Sequence, residues 1–384
     1  MKELSKTRSK LPNSGIRQLM ELSANIPDAI HLEVGEPNVN TPQHIREAAT
    51  LAMNEGFTGY TSVPGYKSLR DALCEHLGFR YGLKITSEQV MVTSGAVTAL
   101  TASLLAIADA DDEILIPDPG WPVYEMMVLA QGSVAKRYPL QLENGFAPDL
   151  EQLEQLVTPK TKAILINTPG NPTGAILGQE QILELLAFAV KHDLYVISDE
   201  VYDGIVFDGT HISPKTFDTD GRVISIFGAS KNYAMTGWRI GYAVASPEIT
   251  TLMGKVMLPL VSCATSISQK AAEAAIRGPQ DFVEEMRQSY KQRRDKAYDL
   301  FTQAEVKAFK PDGAFYMLVD MAELGRPADE LALQLLKEEK VAVAPGTTFG
   351  ELTNKMVRIS LASEESQLLE GVKRICTFIA RHKR

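Results

Sequence analysis

Apolar positions along the chain follow two periods. Short β-branched and apolar runs at 89–93, 113–117, 162–167, 194–197, 223–227 and 240–245 each stop at polar or small residues, as a buried parallel strand does at its carboxyl end. Helical spacing fills most of the gaps: Leu69, Leu73 and Leu77 share one face, 98–106 is an apolar helix, and another runs near 179–192. Strands separated by helices predict a doubly wound α/β layer with a mostly parallel sheet. The stretch 247–276 reads as mainly helical. The longest helical pattern, 280–303, carries Arg287, Lys291, Arg293 and Arg294, which reads as a solvated face linking two domains. Short strands at 314–319, 341–344 and 356–361 then alternate with helices, a smaller α+β domain.

The opening to about Leu22 is polar and basic and is expected to lie across the surface of a larger body. A short strand at 29–34 is broken by Gly35-Glu36-Pro37, and a helix follows, with Thr41 as N-cap and Pro42 as its first residue. The expected division is a large domain at 44–280 and a small one made of 1–43 and 281–384. No internal repeat, low-complexity tract or GxGxxG fingerprint is present.

Composition narrows the function classes. At 384 residues, 45% hydrophobic and 23% charged, the chain reads as an ordinary soluble protein with ample core. A net charge of -9, spread along the chain, argues against nucleic acid as a partner. Cys74, Cys263 and Cys376 are far apart and lack CxxC spacing, which argues against a disulfide framework or a metal site and fits a reduced cytoplasm. No secretion signal or membrane-length apolar run is found.

The chemistry concentrates at strand ends, where open α/β sheets bind ligands. Asp199 closes the run at 194–197, and Lys231 follows the run at 223–227. Pyridoxal phosphate needs a lysine amine for its Schiff base, a carboxylate for its pyridine nitrogen and a cradle for its phosphate. Asp199, Lys231, Ser230 and Arg239 supply these groups, and the small residues around Lys231 let backbone approach a flat ring. Ser94-Gly95-Ala96-Val97 opens a helix whose free amides form an anion site, although any βα loop has that appearance. Trp121 lies on a Pro/Gly-rich loop and is placed to stack on a ring, against the ordinary reading of a core tryptophan. Asn171 sits in a loop stiffened by two prolines and two glycines, where Asn-Pro is usually only a turn. Tyr60, on another Gly/Pro loop, is by itself a packing residue. Arg358, in a half-buried strand, would ordinarily pair with a structural acid.

On these residues the chain resembles the class I/II aminotransferases, fold-type-I pyridoxal phosphate enzymes of the aspartate aminotransferase kind. The small-x-small-Lys pattern followed eight residues later by Arg239 is their lysine signature. The order Gly35, Tyr60, Gly95, Trp121, Asn171, Asp199, Tyr202, Lys231, Arg239, Arg358 matches over nearly the whole chain. The resemblance implies that Lys231 holds the cofactor and shuttles the proton, that ionised Asp199 faces the ring nitrogen, and that Tyr202 and Asn171 reach the ring oxygen. Trp121 would stack on the ring. Gly95, Ala96, Val97, Ser230 and Arg239 would cup the phosphate, with Tyr60 added from the partner of a homodimer. Arg358 would grip the substrate carboxylate bidentately, beside Gly35, Asn171 and Trp121, and Ile16 would line the side-chain pocket. Cis bonds before Pro119 and Pro172 are also implied.

The activity implied is transfer of an amino group from an L-amino acid to a 2-oxo acid, 2-oxoglutarate or pyruvate, in a ping-pong cycle. A β-lyase, racemase or oxidase on the same scaffold shares these residues. A non-catalytic sensor would need an added DNA-binding domain, and the opening of about forty residues has no helix-turn-helix pattern. Two departures stand out. Gly228 replaces a serine common three residues before the lysine. The stretch 255–266 lacks the arginine that some aspartate-specific relatives bring from the neighbouring subunit, and a neutral pocket favours aromatic, branched or alanine-like donors.

Overall fold

The computed structural model describes residues 2–5, 8–12, 15–24 and 26–383. Strand β1 (Ile30–His31) comes first. It is followed by β2 (Val90–Thr93), β3 (Glu113–Asp118), β4 (Val134–Pro139), β5 (Thr161–Asn167), β6 (Tyr195–Asp199), β7 (Val223–Gly228) and β8 (Gly241–Val244). The last seven form one sheet in the order β2-β8-β7-β6-β5-β3-β4. Only β8 runs against its neighbours, pairing antiparallel with β2 and β7. The central strands carry helices on both faces: Val123–Gln131 packs into one apolar core and Gln179–Lys191 into another. That double covering is why their sequences are apolar runs without alternation.

The strand order sets the site. β3 lies between β4 and β5, so the chain leaves β3 toward one side of the sheet and leaves β5 toward the other. The crevice between these diverging loops is where such sheets bind ligands. Register places Asn167 of β5 beside Asp199 of β6, and Asp199 beside Ile226 of β7. Three strand ends are therefore level, with Lys231 on the helical turn Ala229–Asn232 directly after β7.

A second sheet holds β9 (Ala308–Phe309), β10 (Tyr316–Asp320), β12 (Ala344–Pro345) and β13 (Met356–Ser360) in the antiparallel order β12-β13-β10-β9; β11 (Val341–Ala342) instead pairs in parallel with β1. The helix Glu365–His382 lays Leu368, Val372, Ile375 and Phe378 onto the same core as Leu32, Phe315, Val357 and Ile359.

Several expectations change. Strand β4 escaped detection because Lys136 and Arg137 interrupt its apolar pattern; it is an edge strand whose charges pair with Glu113 and Glu125. The opening is not merely a surface strand of chain, since Gly15–Ser23 is a helix that buries Leu19 and Ser23. Thr41 does not cap the next helix: Pro42 holds that position, and the Thr41 hydroxyl donates to Ala234 O at 2.6 Å and accepts from Trp238 Nε1 at 3.0 Å.

The solvated-face reading of the long helix, Asp281–Gln303, fails for Arg293 and Arg294, which are 8% and 1% exposed. Arg294 pairs with Asp208 and donates to Pro311 O; Arg287 and Lys291 donate to the carbonyls of Val206 and Phe207. The basic row clamps the helix onto the segment that follows β6. Long side chains can bury their stems while their heads find fixed acceptors. Peptide bonds before Pro119 and Pro172 are cis, as expected, and so is the one before Pro169.

Candidate active site

A cavity of about 450 Å3 opens at the level ends of β5, β6 and β7. Asp199, 3% exposed, accepts a hydrogen bond from Tyr124 Oη at 2.6 Å on one carboxylate oxygen, while Val201 N lies 3.4 Å from the other. Burial pushes its pKa up to about 6, even though the Tyr124 bond and the backbone amide favour the ionised form. Lys231 donates from Nζ to Gly35 O at 2.6 Å. Burial, which disfavours the ammonium, brings its amine down to about 8, although Glu36 works the other way.

Arg358 enters from the second sheet. It is almost fully buried, donating from Nη1 to Asn171 Oδ1 at 3.0 Å and from Nη2 to Glu33 O at 2.7 Å. Its guanidinium packs against the rings of both Tyr316 and Phe349, 4.1 and 4.9 Å from their centroids. Among the described residues its Nε has no partner. Tyr316 Oη shares a hydrogen bond with Tyr202 Oη at 2.9 Å. A side chain at Gly35 would place its Cβ 2.9 Å from that Tyr316 oxygen.

The helix Ala96–Ile107 starts at the cavity, its first amides without partners inside the helix. Gly95, at φ +86°, lies so close to Arg239 that a Cβ there would sit 2.5 Å from Nη2. The Arg239 guanidinium donates from Nη1 to Thr236 O at 2.9 Å and rests over the helix start, so two sources of positive potential meet.

Ala96, Val97, Trp121, Asn171, Tyr202, Ser230, Lys231, Arg239, Asp199, Gly35 and Arg358 all line this cavity. Gly95 adjoins it beneath Arg239. Tyr60 does not belong to it: this ring is 91% exposed on the surface of the same chain. Ile16 lies in the helix Gly15–Ser23, and its side chain is outside the described residues, but Met20 of that helix reaches the cavity.

Sequence reasoning missed Tyr124, Asn167, Tyr316 and Phe349. Asn167 was findable, as the last residue of a buried strand; it donates to Asp199 O at 2.9 Å and accepts from Asn171 N at 2.7 Å. Tyr316 stands opposite Ser360 and Arg358 opposite Leu318. Tyr316 and Arg358 are thus diagonal neighbours on one sheet face, which only the register reveals.

Behind the lysine turn, Asp203 accepts from Tyr81 Oη at 2.5 Å and from Asn232 Nδ2 at 2.6 Å, with Arg80 alongside. Burial raises its pKa, but Arg80, His211, Tyr81 and Asn232 outweigh that and hold the carboxyl below its usual range. Since Asp203 follows Tyr202 and Asn232 follows Lys231, this bond fixes the spacing of two cavity residues. Asp203→Ala leaves Arg80 and Asn232 without their buried partner and is expected to cost about 3 kcal/mol. A lowered urea midpoint would show it; an unchanged midpoint would mean the network carries no stability.

The sequence model of the family described as "Aminotransferase class I and II" matches residues 27–375. The chain is 37% identical to the aspartate/prephenate aminotransferase of Thermus thermophilus, covering 94% of each chain. It is 36% identical to aromatic-amino-acid aminotransferase 2 of Thermococcus litoralis, again over 94% of each. The structure of the Thermus thermophilus aspartate aminotransferase with maleate superposes with a TM-score of 0.94 at 35% identity, covering 98% of this chain and all of that one.

Proposed function

Because the chain belongs to the class I and II aminotransferases, and so is a pyridoxal-phosphate-dependent transaminase of fold type I, we propose that its donor is an L-amino acid with a neutral side chain. The acceptor in this reading is 2-oxoglutarate or pyruvate, in a ping-pong cycle at the Lys231 cavity.

The residues present fit the cofactor. A buried carboxylate and a half-buried amine share one cavity, and glycine admits Arg239 to the helix start. When bound, pyridoxal phosphate supplies a carbonyl carbon that joins to nitrogen and a ring that withdraws electrons from the substrate Cα. Asp199 would keep the ring nitrogen protonated, since a cation placed against it lowers its pKa from about 6 and restores full ionisation. Ser230, Arg239 and the first amides of the helix Ala96–Ile107 would hold the phosphate, and Trp121 would cover one ring face. Asn171 spends its oxygen on Arg358, which leaves its amide nitrogen, with Tyr202, to donate to the ring oxygen. Arg358 would hold the α-carboxylate and so orient the Cα–H bond toward Lys231 Nζ, which takes that proton and returns it elsewhere.

The donor class rests on one observation. Lys231, Arg239 and Arg358 are the only cations among the described lining residues, and each already has a partner in this scheme. The lining residues given no role toward the cofactor or the α-carboxylate include the apolar Met20, Val34 and Leu100, and the charges among them, Glu33 and Glu36, are negative. A side-chain carboxylate would be desolvated there without a counter-charge, so pyruvate fits more simply than 2-oxoglutarate. Neutral aliphatic or aromatic donors are expected to exceed L-aspartate in kcat/KM by at least about tenfold. Equal or faster turnover of L-aspartate would overturn this assignment.

The same reading includes a homodimer in which Tyr60 completes the partner's phosphate site. Its exposed ring, and exposed Leu258 and Leu260 on a neighbouring helix, support that. It also includes a large body at 44–280, a small one made of 1–43 and 281–384, and a cytoplasmic setting, for which the three unpaired cysteines speak. No helix among the described residues is long and apolar enough to cross a membrane.

A further inference from the structure

Asp118, the last residue of β3, is 7% exposed and is not among the residues lining the cavity. Its carboxylate instead crosses to a loop of the second sheet. Oδ2 accepts from Glu351 N at 3.1 Å and Oδ1 from Leu352 N at 3.3 Å. Gly350, just before these two amides, has φ +150°, and a Cβ there would fall 2.0 Å from Oδ1. The loop is thus wrapped around the carboxylate at a position only glycine can occupy.

Both ends of this contact lead to the cavity. Phe349, next to Gly350, puts its ring against the Arg358 guanidinium, and its carbonyl accepts from Gly120 N at 2.9 Å. Gly120 in turn precedes Trp121. A chain of adjacent groups therefore joins the wall behind Arg358 to the loop bearing Trp121.

We propose that Asp118 is a positioning residue for the substrate's α-carboxylate: by holding the 349–352 loop through two backbone amides, it fixes Phe349 against Arg358 and sets that guanidinium relative to Trp121. The proposal rests on Arg358 being the carboxylate-binding group. A carboxylate is required because two amides approach two different oxygens. Asparagine offers one oxygen and turns an NH2 toward the other amide, losing one bond and opposing two donors.

The test compares the holoenzyme with Asp118→Asn, Gly350→Ala and Arg358→Lys. Read-outs are KM and kcat for donor and acceptor, the Kd of an α-methyl amino acid that cannot lose a Cα proton, cofactor affinity and the thermal midpoint. Asp118→Asn and Gly350→Ala, which disturb the contact from opposite sides, are each expected to raise KM and the α-methyl Kd roughly tenfold. Cofactor affinity should hold and kcat should stay within about threefold of wild type. In the Arg358→Lys background, Asp118→Asn should add little. If Arg358→Lys weakens the α-methyl compound while both loop variants bind it normally, this proposal falls and the carboxylate assignment stands. If Arg358→Lys leaves binding unchanged, the assignment and the proposal fall together. Loop variants that lose cofactor or kcat at unchanged KM would also refute the positioning role.

Discussion

Replacing Lys231 with alanine is expected to slow amino transfer by about 10^4-fold or more, since it removes both the nucleophile and the proton carrier. Among the described residues no other lysine lines the cavity, and of its carboxylates Asp199 has a separate role, Glu33 is bonded to Ser23 and His31, and Glu36 to Thr236. Borohydride reduction of wild-type holoenzyme should leave the cofactor's mass fixed on the peptide containing Lys231, and on no peptide of the variant. Exogenous methylamine should restore part of the lost rate, because it supplies the amine but not its fixed position.

The same amine gives a pH dependence with a definite sign. Only the free base can attack a carbonyl, and burial makes the ammonium the disfavoured form, at a pKa of about 8. Cofactor uptake by the cofactor-free chain should therefore rise roughly tenfold per pH unit up to about pH 8 and level off above it. Uptake that still climbed tenfold between pH 9 and 10 would mean that burial does not lower the lysine.

The second large effect is expected at Asp199. Asp199→Asn keeps the size and the bond to Tyr124 but removes the charge, so nothing then holds the ring nitrogen protonated. The single-turnover rate of proton removal from the donor should fall by about 10^3, the scale seen when one preorganised electrostatic partner is lost. The effect should lie in kcat rather than KM, because Asp199 would serve the ring nitrogen and not the substrate carboxylate, and acts only as electrons leave Cα. A variant within tenfold of wild type would place the electron-withdrawing function elsewhere.

These residues were legible in the sequence because strand ends announce themselves. A buried apolar run that stops at Asp199, and another that stops at small residues before Lys231, fix which groups stand at the sheet's carboxyl edge. Periodicity reports burial, however, and not partners. Arg293 and Arg294 look like any solvated helix face until Asn38, Asp208 and Pro311, distant in sequence, are brought to them. Tyr124 and Tyr316 resemble core tyrosines; only the packing of a helix on the sheet brings the first to Asp199, and only strand register sets the second beside Arg358. Asp118 meets Glu351 and Leu352 across more than two hundred residues, a contact that no local pattern encodes. The reversed direction of β8 was equally hidden, because an apolar run of four buried residues reads the same in either direction.

The central claim is that the Lys231 cavity carries an amino group from a neutral L-amino acid to a 2-oxo acid. It is tested most directly by adding 15N-labelled L-amino acids singly to the holoenzyme, recording the cofactor's absorbance, and then adding pyruvate or 2-oxoglutarate. The account predicts that a neutral donor shifts the absorbance to that of the amine form, that the oxo acid reverses it, and that the new amino acid carries the label. Label released as ammonia, or an absorbance change that no oxo acid reverses, would contradict it.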